Sequence, residues 1–346
     1  MRKEIAFLTV GQAGGNIGRL FEALKFNVLH INTCMEDLNT MPEAKHTYHI
    51  KDGEGAAKDR DTAKQLVGAD IQDLTAEIAK TITEEYVFVI FSAGGGTGSG
   101  AAPMLITCLS KLMPDKKFGA ITILPSAGES LKALINAYDC FSELANLAQI
   151  NTLFVIDNNN RADKLTLNET FVELFMAMLK MPDYSNARGN IDTRELKEVM
   201  GAKGCIVIAS LPGGQVTASE LADNLNNSIF AQTEQDGIVQ YIALSMASDI
   251  NTAALCRSVG KPLDLFVGYN SDATVCVLSG LSYPYARLAA IKSQISDEQD
   301  AMKKIWSVKK PPIAQNNVDL SFVGKDEKPP TSGMEIKDIV AKFQNK

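Results

Sequence analysis

Ser92-Ala93-Gly94-Gly95-Gly96-Thr97-Gly98-Ser99-Gly100-Ala101 is a glycine-rich segment near the middle of the N-terminal half of the chain. It follows the continuous apolar run Tyr86-Val87-Phe88-Val89-Ile90-Phe91, which is typical of a buried parallel strand. Residues 102–112, which come next, carry apolar side chains at helical spacing. The sequence therefore predicts a strand, a glycine loop and a helix, in that order.

Five glycines stand within the seven residues 94–100. Because glycine lacks Cβ and adopts positive φ, several backbone N–H groups of such a loop can converge on one anion at the positive end of a helix. The alternative is a flexible turn without a ligand, but flexibility alone does not require this density of glycine. Two common phosphate loops are excluded, because Gly-Lys-Ser/Thr is absent and no Gly-x-Gly-x-x-Gly follows the first predicted strand.

The composition of the 346-residue chain is that of a globular protein of about two domains, with 45% apolar residues. No apolar run approaches the roughly 18 residues that a membrane span needs, and residues 1–4 lead into a strand and not into a signal peptide. We therefore expect a cytoplasmic protein. The six cysteines are widely spaced without a Cys-x-x-Cys pair, which favours buried free thiols over a metal site.

The net charge of −7 is unevenly distributed. Residues 303–346 contain nine lysines and five acidic residues, a charge of +4, so residues 1–302 carry −11. An acidic body of this kind is not expected to bind DNA directly.

The segment Gly94-Gly95-Gly96-Thr97-Gly98-Ser99-Gly100 resembles the G-G-G-T-G-[ST]-G signature of the tubulin/FtsZ GTPases. The resemblance implies a tubulin-like α/β fold with a Rossmann-type parallel sheet, a long central helix and a smaller α/β domain with a mixed sheet. The expected divisions are a GTP-binding domain at 1–164, the central helix and following loop at 165–188, a GTPase-activating second domain at 189–283, and a C-terminal helix, linker and short basic tail helix at 284–346.

Further loops also resemble the family. Residues 11–18, Gly11-Gln12-Ala13-Gly14-Gly15-Asn16-Ile17-Gly18, resemble its first nucleotide loop. The second predicted strand ends in Asn32-Thr33, as in FtsZ-like chains, whereas a dinucleotide oxidoreductase would need an acidic residue there for the ribose. Residues 51–58 resemble the loop that senses the γ-phosphate.

The resemblance implies GTP or GDP with Mg²⁺ as ligands, while the residues that bind the metal stay unassigned. The nucleotide contacts that it implies are Gly11, Gln12, Ala13, Gly14, Asn16, Asn32, Gly55, Ala56, Ala93, Gly94, Gly95, Gly96, Thr97, Gly98, Ser99, Glu129, Asn158 and Asn168.

Three of these contacts have specific expected roles. Glu129 would bind the ribose, although the Phe-Glu-Gly-x-x-Arg pattern of FtsZ is absent and Glu129 would also suit the first turn of a helix. Asn168, near the start of the predicted central helix, or Asn158 would read guanine, because an amide supplies both a donor and an acceptor. The alternative for Asn168 is a helix cap.

The segment Asn190-Ile191-Asp192-Thr193-Arg194-Glu195 has two interpretations. Asp192 and Glu195 have the spacing of a capping box at a helix start. The pattern Asn-x-Asp-x-x-Glu after the central helix also resembles the loop that one subunit of the family inserts into the nucleotide site of the next. On that interpretation Asn190, Asp192 and Glu195 are catalytic residues, and a carboxylate orients and helps to deprotonate the attacking water.

The C-terminal residues predict a short amphipathic helix after a linker rich in proline and lysine. Ser332 and Glu335 form a capping box, and the apolar positions that follow have helical spacing. A helix this short needs a partner, which is the chain's own body, a neighbouring subunit or an adaptor protein. The candidate partner-binding residues are Ile336, Ile339, Val340 and Phe343.

The short basic tail makes the chain resemble the TubZ group of the family, whose members segregate plasmid or phage DNA in bacterial cells. That resemblance implies head-to-tail filaments of the protein itself, GTP hydrolysis at the subunit junction and a DNA-binding adaptor (TubR) on centromeric DNA, contacted through the tail. A cell-division scaffold of the FtsZ type is the alternative. An NAD-dependent oxidoreductase is less favoured.

Overall fold

The computed structural model describes residues 1–160, 163–232, 234 and 238–308, with side chains as far as residue 305. One ten-stranded sheet runs through this part of the chain in the order β3-β2-β1-β4-β5-β6-β7-β10-β8-β9. The strands are β1 Ile5–Val10, β2 Asn27–Asn32, β3 Thr47–His49, β4 Tyr86–Ser92, β5 Lys117–Leu124, β6 Ile150–Asp157, β7 Gly204–Pro212, β8 Tyr241–Met246, β9 Asp264–Tyr269 and β10 Ala273–Leu281.

Helices alternate with the strands and pack on the sheet. They are α1 Gly11–Ala23, α2 Met35–Asn39, α3 Arg60–Thr81, α4 Thr97–Leu112, α5 Leu131–Leu144, α6 Lys164–Leu179, α7 Thr193–Gly201, α8 Ala218–Asn226, α9 Thr252–Val259 and α10 Tyr285–Val308. None of the helices in the described part combines the length and apolar character that crossing a membrane requires.

The strands from β1 to β7 are all parallel, so their carboxyl ends share one edge of the sheet. Beyond β7 the sheet is mixed, because β10 runs antiparallel to both β7 and β8. The predicted α/β architecture with a mixed second sheet is therefore observed. The structure adds that the second set of strands continues the first sheet through the short β6–β7 pairing, while the domain boundaries remain a prediction.

An aromatic cluster fastens α1 and α6 to the sheet. The ring centroids of Phe7 on β1 and Phe21 on α1 lie 3.9 Å apart, and Phe175 on α6 contacts both rings as well as Phe88 on β4. Burying one such side chain stabilises a fold by about 1.5–3 kcal/mol. The cluster holds the C-terminal halves of α1 and α6 against β1 and β4.

Helix α6 is the predicted central helix, but it is not buried on every face. Phe171 and Phe175 are buried, whereas Glu169 and Glu173 point to solvent and Leu165 is 52% exposed. Few charges along a helix do not require that every apolar side chain find a partner, and Leu165 stays exposed.

Candidate nucleotide site

The glycine loop joins β4 to α4 at the carboxyl edge of the sheet, and α4 starts without a side-chain cap. Within the described residues, the backbone N–H groups of residues 95–99 donate no hydrogen bond. Four N–H groups at a helix start have no partner inside the helix, so a cap, water or a ligand must satisfy them. Here no side chain does so, which leaves a row of donors at the positive end of α4.

The carbonyl groups of the same loop are bound. Asn136 on α5 donates to Gly95 O at 3.0 Å and to Gly94 O at 3.4 Å. Arg60 Nη2 donates to Ser99 O at 3.0 Å, and the Ser99 hydroxyl donates to Gly95 O. The loop therefore has one face of anchored carbonyls and another of free amides. Asn136 and Arg60 were missed by the sequence analysis, because single polar residues in helices carry no pattern.

Close packing explains several of the glycines. A Cβ on Gly96 would lie 2.8 Å from Lys58 Cα, and one on Gly98 would lie 2.9 Å from Val10 O. Gly14 on α1 lies against the backbone of Ile90 so closely that no side chain fits. The glycine loop thus packs closely against β1, β4 and the segment before α3.

Helix α1 begins beside the glycine loop. Gly11 has φ +76°, a left-handed conformation suited to glycine, and a Cβ added to it would lie 3.3 Å from Gly98 N. Gln12 is exposed and Asn16 is partly buried, and neither side chain makes a hydrogen bond within the described residues. Two helix starts and two side-chain amides without partners therefore converge at this edge. Ala13 lies between them, packed against the core.

Asn32, at the end of β2, is only 2% exposed. Its side chain donates to Asp37 Oδ2 at 3.0 Å and accepts from Cys34 N at 3.2 Å. Asn32 thus shapes the turn into α2, and its predicted contact with the nucleotide stays a prediction. The neighbouring Thr33 hydroxyl shares a hydrogen bond of 2.7 Å with the Thr97 hydroxyl of the glycine loop.

The segment 50–59 covers the glycine loop from the side of α3. Gly55 has φ +95° and donates its N–H to Thr33 O at 2.9 Å, and Ala56 is buried 3.0 Å from the Cβ position of Gly96. Ala57 and Lys58 both have left-handed φ, +45° and +58°, which is unusual for residues other than glycine. The structure therefore places Gly55 and Ala56 beside the glycine loop, while their contact with a nucleotide stays a prediction.

Glu129 lies before α5, whose N-cap is Ser130, so the alternative role of Glu129 in the first helical turn is wrong. Its carboxylate accepts from Lys164 Nζ at 2.8 Å, from Ser126 N at 3.3 Å and from Asn158 Nδ2 at 3.4 Å. Burial acts to raise the pKa of Glu129, but the bonds led by Lys164 outweigh it and hold the pKa below its usual value. The Glu129 carboxylate is therefore charged at neutral pH and held in place in the segment between β5 and α5.

Asn168 is not the cap of α6, because Asp163 holds that position by accepting from Leu165 N and Thr166 N. Asn168 is 8% exposed, and its amide makes no hydrogen bond within the described residues. Its amide atoms are not among the fully enclosed ones, so water or a ligand can pair with them. The base-reading role of Asn168 stays a prediction, as does that of Asn158, whose amide donates to Glu129.

The residues Asn190, Asp192 and Glu195 do not join this site. Lys197 on α7 bonds to Glu4 at 2.6 Å and to Glu85 at 3.3 Å, and these acids precede β1 and β4. Helix α7 therefore lies at the amino edge of the sheet, opposite the glycine loop. Since β4 spans seven residues at about 3.3 Å each, the two edges are separated by roughly 20 Å.

The capping box at α7 is formed in full. Glu195 N donates to Asp192 Oδ1 and Asp192 N donates to Glu195 Oε2, both at 2.8 Å. Each carboxylate keeps its second oxygen without a hydrogen bond in the described part of the chain. Capping is thus confirmed, and it leaves both side chains able to accept from a further group. The tail residues Ile336, Ile339, Val340 and Phe343 lie outside the described residues.

Comparison with known proteins identifies relatives along nearly the whole chain. The chain is 28% identical to the tubulin-like protein TubZ of Clostridium botulinum C phage over 339 residues, which cover 95% of this chain and 94% of that protein. It is 26% identical to the tubulin-like protein CetZ of Pyrococcus abyssi over 255 residues, covering 69% and 68% of the two chains.

Solved structures share the fold. The crystal structure of TubZ from Clostridium botulinum phage c-st matches with a TM-score of 0.79 at 28% identity, covering 87% of this chain and 100% of that one. A GTPγS-form protofilament of TubZ from Bacillus thuringiensis serovar israelensis matches with a TM-score of 0.75 at 14% identity, covering 89% and 95%.

The family model for the GTPase domain of the Tubulin/FtsZ family matches residues 4–165. This span runs from β1 into α6 and contains the glycine loop, the start of α1 and the segment 50–59. Residues 4–165 therefore match a GTPase domain of the Tubulin/FtsZ family, and the described part of the chain has a tubulin-like α/β fold.

Proposed function

We propose that this protein binds and hydrolyses GTP, assembles head to tail into filaments, and segregates plasmid or phage DNA through a DNA-binding adaptor. One observation carries the GTPase part: the free amides of residues 95–99 stand at one edge of the sheet, while the paired acids of α7 stand at the other. A subunit built in this way has two halves of an active site that cannot meet within itself.

In the proposed complex, the triphosphate lies against the amides of the glycine loop and the start of α1. Peptide N–H groups fixed at two helix starts can bind a polyanion, so no lysine side chain is needed for the phosphates. Asn168 supplies the donor and acceptor that read guanine, and Gln12 and Asn16 line the same edge. Glu129 accepts from a ribose hydroxyl at Oε2, since Lys164 Nζ and Asn158 Nδ2 both donate to Oε1.

Mg²⁺ is expected with a triphosphate. The described residues include no group of three or more His, Cys, Asp and Glu side chains arranged for a metal. The hydroxyls of Thr97 and Ser99 are already engaged with Thr33 and Gly95. This donor set fits a cation held by phosphate oxygens and water, which neutralises part of the triphosphate charge.

Hydrolysis requires a second subunit. Asp192 and Glu195 lie roughly 20 Å from the glycine loop of their own chain, so they act on the nucleotide of the next subunit, with Asn190 beside them. The unbonded oxygens of the two carboxylates accept hydrogen bonds from the attacking water, and the capping bonds keep the carboxylates in place. One carboxylate takes a single proton as the water oxygen bonds the γ-phosphorus and the bond from that phosphorus to the β–γ bridging oxygen breaks, releasing GDP. Relatives described as protofilaments and as a two-stranded filament support the proposed assembly.

The DNA-segregation part rests on the phage TubZ relative and on charge. Residues 1–302 carry −11 and residues 303–346 carry +4, so the body repels DNA and the tail contacts the adaptor. Deleting residues 333–346 should weaken adaptor binding or change the filament form. If the truncated protein is unchanged in both assays, the tail has no such role.

The test of the GTPase and filament is 90° light scattering together with phosphate release, with GTP or ATP and Mg²⁺ over a range of protein concentrations. Scattering and hydrolysis should appear together above a threshold concentration with GTP and be absent with ATP. Turnover per subunit should rise steeply with concentration, because each active site needs two subunits. A turnover independent of concentration would contradict hydrolysis between subunits.

A further inference from the structure

Asn136 lies in the middle of α5 and is 6% exposed. Its side-chain amide donates to Lys58 O at 2.9 Å, to Gly95 O at 3.0 Å and to Gly94 O at 3.4 Å. Resting on the function proposed above, we propose that Asn136 is a positioning residue that aims the glycine-loop amides and ties them to the loop 51–58. It touches no substrate and acts through the two backbones that it holds.

The planarity of the peptide unit explains how a carbonyl anchor orients a donor. In a trans peptide, the C=O of one residue and the N–H of the next point in opposite directions. When Asn136 binds Gly94 O and Gly95 O, the N–H groups of Gly95 and Gly96 are turned to the other side. These N–H groups have no partner in the described residues, so Asn136 sets the direction of two free donors.

The same amide holds the neighbouring segment. Lys58 is left-handed and its Cα packs against Gly96, so its carbonyl is presented to α5 beside the glycine loop. Lys132, one turn earlier on α5, donates to Ala57 O at 3.1 Å. Helix α5 thus keeps residues 57 and 58 in a conformation that side chains rarely adopt. A shift in either loop must therefore change the bonds that Asn136 makes to the other.

This arrangement has a consequence for nucleotide choice. The loop 51–58 is the one predicted to sense the γ-phosphate, and Asn136 is a direct hydrogen-bond link between it and the carbonyls of Gly94 and Gly95. Without the hydrogen bonds of Asn136, the loop 51–58 and the glycine loop should stay folded, but their positions relative to each other should vary more. Binding of GTP, which needs both, should then suffer more than binding of GDP.

The test uses Asn136→Asp in the full-length protein. Aspartate has nearly the same shape, but as a carboxylate it donates no hydrogen bond and faces three carbonyl oxygens. Asn136→Ala serves as a second variant in case the charge prevents folding. The matched control is Asn146→Asp just beyond α5, where an exposed amide donates to Ser142 O at 2.8 Å. All are compared by hydrogen exchange without nucleotide and by GTP and GDP affinity.

We expect faster amide exchange in both segments 51–60 and 92–100 of the Asn136 variants, and in neither segment of the control. The affinity for GTP should fall about tenfold, since buried carbonyls lose their donor, and the GTP/GDP affinity ratio should fall at least about threefold. Unchanged exchange, or equal losses for GTP and GDP, would overturn the proposal. Wild-type protein that binds no guanine nucleotide would refute the proposed function, and the exchange data would still decide the role of Asn136.

Discussion

The N-termini of α4 and α7 differ in how their backbone N–H groups are bound. At α4 no side chain caps the helix, and the amides of residues 95–99 are free within the described part of the chain. At α7, Asp192 and Glu195 complete both bonds of a capping box. The first terminus lacks partners that a ligand would supply, whereas at the second the capping box binds the N–H groups of Asp192 and Glu195 and leaves one oxygen of each carboxylate unbonded. The difference favours phosphate binding at one end and water activation at the other.

The largest expected effect comes from Glu195→Gln, which separates capping from catalysis. Glutamine still accepts from Asp192 N, so the capping box and the melting temperature should change little. Removing the carboxylate should lower GTP turnover in filaments by about a hundredfold or more, and the filaments should persist. The measurement is phosphate release with sedimentation of the polymer. Full turnover by the variant would mean that Glu195 is a cap and nothing more.

Gly96→Ala should act at the other terminus. Its Cβ would lie 2.8 Å from Lys58 Cα and 2.9 Å from Asp59 N, so the segment 56–59 or the glycine loop must move. Overpacking of this size costs about 1–3 kcal/mol, and GTP affinity should fall by up to about a hundredfold.

The matched control for that change is Gly128→Ala, in the loop before α5. A Cβ there meets nothing within 4 Å, and Gly128 has no positive φ. Its GTP affinity, measured by titration calorimetry, should stay near that of the wild type. An equal loss of affinity in both variants would show that close packing around Gly96 does not shape the site.

The smallest effect is expected from the Glu129–Lys164 pair at the nucleotide end. The folded pKa of Glu129 lies below its ordinary value of 4.5, so the pair stabilises the fold above that pH. This stabilisation is lost as the pH falls below 4.5 through the folded pKa, and it amounts to less than about 1 kcal/mol because the lysine is exposed.

Urea unfolding of wild type and Glu129→Gln at a series of pH values measures this contribution. The difference in unfolding free energy between the two proteins should be present at neutral pH and shrink through the acid range. If the difference in unfolding free energy does not change with pH, the pairing with Lys164 does not lower the pKa of Glu129 in the folded protein. The same variant should bind GTP more weakly if Glu129 accepts from the ribose.

Features with a local chemical pattern were predictable from the sequence. The glycine loop, the apolar strand before it and the capping box at Asp192 each involve residues a few positions apart. Their partners are fixed by the backbone geometry of one turn or one strand, so spacing alone identifies them.

Features that depend on distant contacts were not predictable. Asn136 and Arg60 hold the glycine loop from helices that are distant from it in sequence. The short strand β8 is another such feature, since its pairing with β9 and β10 is what makes residues 241–246 extended. A capping role for Asn168 was a plausible alternative in the sequence because Asp163, the actual cap, stands only a few residues earlier.

The most direct test of the central claim is a mixing experiment with Glu195→Gln and Gly96→Ala. Glu195→Gln keeps the glycine loop intact but lacks the carboxylate that is proposed to be catalytic. Gly96→Ala keeps that carboxylate but has a disturbed glycine loop. Each alone should release little phosphate from GTP, while an equal mixture should release clearly more than the sum of the two. Mixed polymers, detected by co-sedimentation, that show no gain in hydrolysis would contradict an active site shared between subunits.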